Sequence, residues 1–82
     1  MNRSSRADVR NPVASLSSAQ QLRALDPAAR AALRAVLLDL AADARGRADK
    51  CWRTHKAPMA VYWKCVAVYA GHIARLLREG KA

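Results

Sequence analysis

The chain has 82 residues, 52% of them hydrophobic and 5% aromatic, and a formal charge of +9 from 15 Lys and Arg against six Asp and Glu. That length supports one domain with a modest core. Two cysteines are too few for a disulfide scaffold, and abundant Ala and Leu with few β-branched residues favour an all-α fold over a β fold.

The charge is concentrated in one place. Residues 15–44 are neutral, whereas residues 45–64 hold six bases against Asp49, a net +5. A field of that density attracts phosphate, an acidic protein surface or an anionic membrane.

Residues 1–14 show no hydrophobic period and carry Arg3, Arg6 and Arg10 against Asp8, so they are expected to form a disordered basic arm. They contain no apolar core of a signal peptide, and Asp8 speaks against a transit peptide. The expected location is therefore the cytoplasm, and the Ala/Arg bias suggests a GC-rich bacterial genome. A single helical domain is expected over residues 15–79, followed by a short tail at 80–82.

The segment "SLSSAQQLRAL" predicts a short leading helix over 16–25, with Ser17 or Ser18 as its cap and Leu22 and Leu25 as its apolar contacts. Next comes "DPAAR", a strong helix start. Asp26 can accept orphan N–H bonds, and Pro27 suits a first turn where no N–H is needed.

From Pro27, Leu33, Leu37, Leu40, Ala44, Ala48, Cys51 and His55 recur every three or four residues, with Val36 widening the stripe. The helix spans about 30 residues, or roughly 45 Å, unless Gly46 breaks it. Pro58 then enforces a stop, because it biases Ala57 away from helical angles.

Pro58 also suits the first turn of a last helix reaching about Arg78. Its apolar arc is wide: Met59, Val61, Tyr62, Cys65, Val66, Val68, Tyr69, His72, Ile73, Leu76 and Leu77. An arc of that width faces more than one neighbour. Ala67 with Gly71, and Ala70 with Ala74, place small residues where backbones can approach closely. The expected architecture is an antiparallel αα-hairpin with a short leading helix. Either the leading helix folds across the last helix or a second copy completes a helical bundle, and the second is expected because the leading helix offers few large apolar groups.

The candidate site is the basic window with its two tryptophans: Arg45, Arg47, Lys50, Trp52, Arg53, Lys56, Trp63 and Lys64. On a helical wheel Arg45, Asp49, Trp52, Arg53 and Lys56 fall on the face away from Leu33, Leu40 and Cys51. Bases neutralise phosphates and an exposed indole stacks on a nucleobase, so a weakly sequence-specific nucleic-acid surface at the hairpin tip is the first expectation. Lys64 and Trp63 begin the last helix near the same tip, so the two clusters are expected to merge. The bland alternative is an ordinary solvated face, with Asp49 pairing at four-residue spacing and the tryptophans packing on each other.

A helix-turn-helix is not supported. Ala42 and Gly46 have the A-x-x-x-G spacing, but later apolar positions fall on Asp49 and other polar residues. Cys51, His55 and Cys65 can be brought near one another, but His72 lies too far along its helix to complete a zinc site. Both cysteines are expected as small buried residues, with His55 and His72 at the core edge. Tyr62 and Tyr69 are expected in the core.

No oxyanion hole, carboxylate pair or phosphate loop is evident, so neither an enzyme nor a bound cofactor is expected. The longest apolar stretch is interrupted by Lys64, His72 and Arg75, which argues against a membrane span. Expected partners are DNA or RNA, or an acidic protein surface, together with a second copy of the chain. The competing function is a small helical adaptor or inhibitor, such as a phage- or plasmid-encoded protein that blocks a host nucleoprotein complex.

Overall fold

In a computed structural model, which describes residues 11–79, the chain is all-helical, with no strand among the described residues. A 3-10 turn, Pro12–Ser15, leads into α1 (Ala19–Arg23), α2 (Pro27–Arg53) and α3 (Ala57–Glu79). The two long helices form an antiparallel hairpin, and the 3-10 turn and α1 pack against α3.

Helix α2 starts as its sequence requires. The Asp26 side chain accepts from the Ala29 N–H at 2.8 Å, and Pro27 occupies the first turn. Gly46 does not break it, and the helix continues to Arg53. An uninterrupted α2 also removes the turn that a helix-turn-helix would need at that glycine.

The turn between the long helices is built from three residues. The Lys56 N–H donates to the Cys51 carbonyl at 2.8 Å and the His55 N–H to that of Trp52 at 3.3 Å. This is the paired bonding of a Schellman stop, with His55 in the left-handed position at φ 64°. The Thr54 hydroxyl adds a bond to the Lys50 carbonyl at 2.9 Å. Pro58 falls in the first turn of α3, where its missing N–H costs nothing, and Ala57 before it is helical, so the stop comes from the His55 turn and not, as expected, from Pro58 acting on Ala57.

The leading segment is ordered earlier in the chain than expected. The arm expected over 1–14 lies outside the described residues as far as Arg10, but its last residues belong to the fold. Asn11 is buried; its amide donates to the His72 carbonyl at 2.8 Å, and its side-chain oxygen accepts from the Val13 N–H at 3.1 Å. This cap starts the 3-10 turn and pins it to α3 across 61 residues of sequence. The helix expected over 16–25 is shorter, and Ser18 at its cap position makes no side-chain capping bond.

The core differs most from expectation. The buried residues of the hairpin are Ala41 and Ala44 on α2, and Ala60, Ala67, Ala70, Ala74, Leu76 and Leu77 on α3. Ala60, Trp63, Ala67, Ala70, Ala74 and Leu77 follow alternating steps of three and four, as do Leu37, Ala41, Ala44, Ala48 and Cys51. Such a 3-4 seam is coiled-coil packing, here made largely of methyl groups. The large residues expected in the core lie outside it: Tyr62, Tyr69, Val61, Val68, Met59, Val36 and Leu40 are exposed. Cys65 is exposed and Cys51 half-buried, so the expectation of two buried thiols is wrong for Cys65. His55 is exposed in the turn, while His72 is half-buried beside Tyr69.

Gly71 is not needed for a close approach, because a Cβ there would meet nothing within 4 Å. The same holds at Gly46, so Gly46→Ala should stabilise the chain by about 1 kcal/mol, the helix-interior difference between the two residues. A thermal melt followed at 222 nm checks this, and an unchanged or lower midpoint would contradict it. His55→Gly removes a left-handed penalty of about 1–2 kcal/mol and adds unfolded-state entropy worth about 0.4–1 kcal/mol. The net expectation is a rise of about 0.5–1 kcal/mol, or several degrees in midpoint.

Candidate nucleic-acid interface

The eight sequence-selected residues separate into three groups. Arg45 and Trp52 from α2 and Lys64 from α3 line one open groove, together with Gly46, Ala48, Asp49, Ala60 and Val61; its volume is about 720 Å³. The spacing explains the set. Positions 45, 48, 49 and 52 recur at helical steps along one edge of α2, and 60, 61 and 64 do so on α3. Trp52 is 65% exposed, so its ring stands at the groove as an accessible surface rather than a core element.

Arg47 and Trp63 belong to the opposite flank. Two residues on a helix differ by about 200° in direction, which turns Arg47 away from Arg45 and Trp63 away from Val61. The Arg47 guanidinium lies over the Trp63 ring at 5.0 Å, and Tyr62 meets the same ring edge-on at 5.1 Å. The expected merging of the two clusters is therefore partial: Lys64 joins the Trp52 groove, whereas Trp63 contacts Arg47 and Tyr62. Lys50, Arg53 and Lys56 form the third group, exposed near and in the turn.

Ion pairing divides the bases further. Asp43 holds Arg47 at 2.7 Å, and Asp49 pairs with Arg53. The hydrogen bond and charge of Asp43 push the Arg47 guanidinium above its ordinary pKa, leaving it cationic at any working pH. Both pairs have the i,i+4 geometry of solvated helix faces, where an ion pair adds little to stability. Arg45, Lys50, Lys56 and Lys64 form no ion pair with any described residue, so their charges remain available to an external anion.

The groove combines an apolar floor, an exposed indole and two cations that pair with no acid among the described residues. Ala48, Ala60 and Val61 were absent from the sequence-selected set, and the signal that could have found them is the four-residue alignment of alanines with Trp52 and Lys64. No three of His, Cys, Asp and Glu come together as a metal-binding group among the described residues. No helix of the described residues is long and apolar enough to cross a membrane. Comparisons with protein-family models, curated proteins and solved structures find no match to this chain.

The two indoles should be spectroscopically distinct. Trp63→Phe leaves Trp52 alone and should give red-shifted emission readily quenched by acrylamide. Trp52→Phe leaves Trp63 and should give bluer, less quenchable emission. Equal quenching constants in the two variants would contradict this placement.

Proposed function

We propose that this chain binds nucleic acid through the Trp52 groove, with weak sequence preference and with single strands favoured over duplex. The observation that carries this reading is an indole 65% exposed beside Arg45 and Lys64, neither of them ion-paired with a described residue. An unpaired base offers its face to Trp52 and to the methyl groups of the floor, while a duplex hides that face in its stack. Arg45 and Lys64 take the adjoining phosphates, and Lys56, with Arg53 once released from Asp49, extends the path around the tip. Arg47 and Trp63 face the other flank and are assigned no contact in this reading.

The contacts are to phosphate and to base faces, so little sequence information is read. Both DNA and RNA satisfy them. The alternative partner, an acidic protein surface, would meet the same rim cations, and the experiment below separates it from nucleic acid.

Titrating labelled mixed-sequence single-stranded DNA and RNA by fluorescence anisotropy should give saturable binding that weakens steeply with salt. With four phosphate contacts the slope is about −3, so affinity should fall roughly 50-fold between about 50 and 200 mM salt. Trp52→Ala should cost about 1–3 kcal/mol through lost stacking. Trp63→Phe should leave affinity unchanged. Asp49→Asn frees Arg53 from its pair and removes an acid from the groove lining, so it should tighten binding with the salt slope little changed. Absence of binding to either nucleic acid at low salt would overturn the proposal and direct attention to an acidic protein partner.

A further inference from the structure

The leading segment covers only one end of α3. Asn11 is bonded at His72, and the 3-10 turn and α1 pack on the same helix, where Leu76 and Leu77 are buried. Between that segment and the hairpin turn, Val61, Tyr62, Cys65, Val68 and Tyr69 form one continuous face left open to solvent. Tyr62 is 55% exposed, Tyr69 50% and Val61 56%. No charged residue stands among these five, and Lys64 lies at the edge of the face, toward the groove.

The face is also self-complementary. The sequence "VYWKCVAVY" places Val61 and Tyr62 four and three residues before Cys65, and Val68 and Tyr69 three and four residues after it. A two-fold axis through Cys65 sets Val61 level with the partner's Tyr69 and Tyr62 level with the partner's Val68. The tyrosines of both copies then line one edge of the contact and the valines the other, a self-complementary arrangement of the kind an isologous interface requires. The open stretch is bounded by the turn at Thr54–Lys56 on one side and by the Asn11 contact at His72 on the other, and its midpoint is close to Cys65.

We infer that this face is the interface of an antiparallel homodimer, in which the second copy's α3 lies along Met59–Tyr69 with Cys65 at the two-fold axis. Charge selects the direction. A parallel pair would bring two basic tips side by side, whereas the antiparallel pair holds them about 25 Å apart, well beyond a screening length of about 8 Å. Area supports the occupant. The open parts of Tyr62, Tyr69, Val61, Val68 and Cys65 amount to roughly 400 Å² per copy, so a pair buries about 800 Å², the size of a weak, reversible interface.

Val61 belongs both to this face and to the Trp52 groove. The partner's Val68 therefore closes one wall of that groove, and each groove is completed by the second copy. This last point rests on the nucleic-acid reading; the dimer itself does not.

Sedimentation equilibrium of the full chain without nucleic acid tests the dimer separately from the function. A dimer with micromolar dissociation is expected, and Tyr69→Glu should weaken self-association at least about tenfold with helicity retained, because that ring is solvent-exposed in the single chain. Direction is tested in a background carrying Cys51→Ser and Cys65→Ser. Chains with Val61→Cys and chains with Tyr69→Cys are mixed and oxidised with copper-phenanthroline, which takes two electrons from each thiol pair as the disulfide forms. Mixed disulfides in excess over Val61→Cys homodimers support the antiparallel pair. A monomer at about 100 µM, or homodimer disulfides predominating, would overturn it. Nucleic-acid binding by a chain shown to be monomeric would leave the groove reading standing and remove only the partner's contribution.

Discussion

Alanine at six buried positions of the hairpin lets α2 and α3 approach closely, but each methyl removes little surface from water, on the order of 1 kcal/mol apiece. The choice has consequences at every level. Close helices need small residues along the seam, so the larger apolar groups of α3 are displaced to its outer faces. There they do one of two things. Leu76 is buried at the end where the leading segment packs, and the Val61–Tyr69 face has no cover among the described residues.

The leading segment is held less by hydrophobic area than by one polar residue. Asn11 caps its own 3-10 turn and reaches the backbone of α3, so a buried amide has both its donor and its acceptor occupied. A buried polar group satisfied in that way orients a segment too short to orient itself. It also sets where the apolar face of α3 is closed and where it stays open.

The turn controls which residues share a flank. Three residues joined by Schellman bonds fix the rotation of α3 relative to α2, and with it the pairing of Arg45 and Trp52 with Lys64 across one groove. The same rotation sends Arg47 and Trp63 to the opposite side, where they contact each other. Adjacent residues in a helix diverge, so a basic window that looks continuous in sequence becomes separate surfaces in space. His55 accepts a left-handed backbone to make this turn, in a place where glycine is the usual occupant.

Local chemistry by itself determined the helical class, the start of α2 at Asp26-Pro27 and the concentration of charge near the tip. Each depends on residues close in sequence: a cap, a missing N–H, a count of bases. The core and the site needed the tertiary structure. Tyr62, Tyr69 and Val61 have the hydrophobicity and the spacing of core residues, and an alanine seam has too weak a contrast to displace them when only one helix is considered. Gly46 illustrates the same limit, since its modest local cost is outweighed by seam contacts on both sides of it. The split of Trp52 from Trp63 follows from interhelical rotation, which depends on packing between residues far apart in the chain and leaves no mark in local sequence.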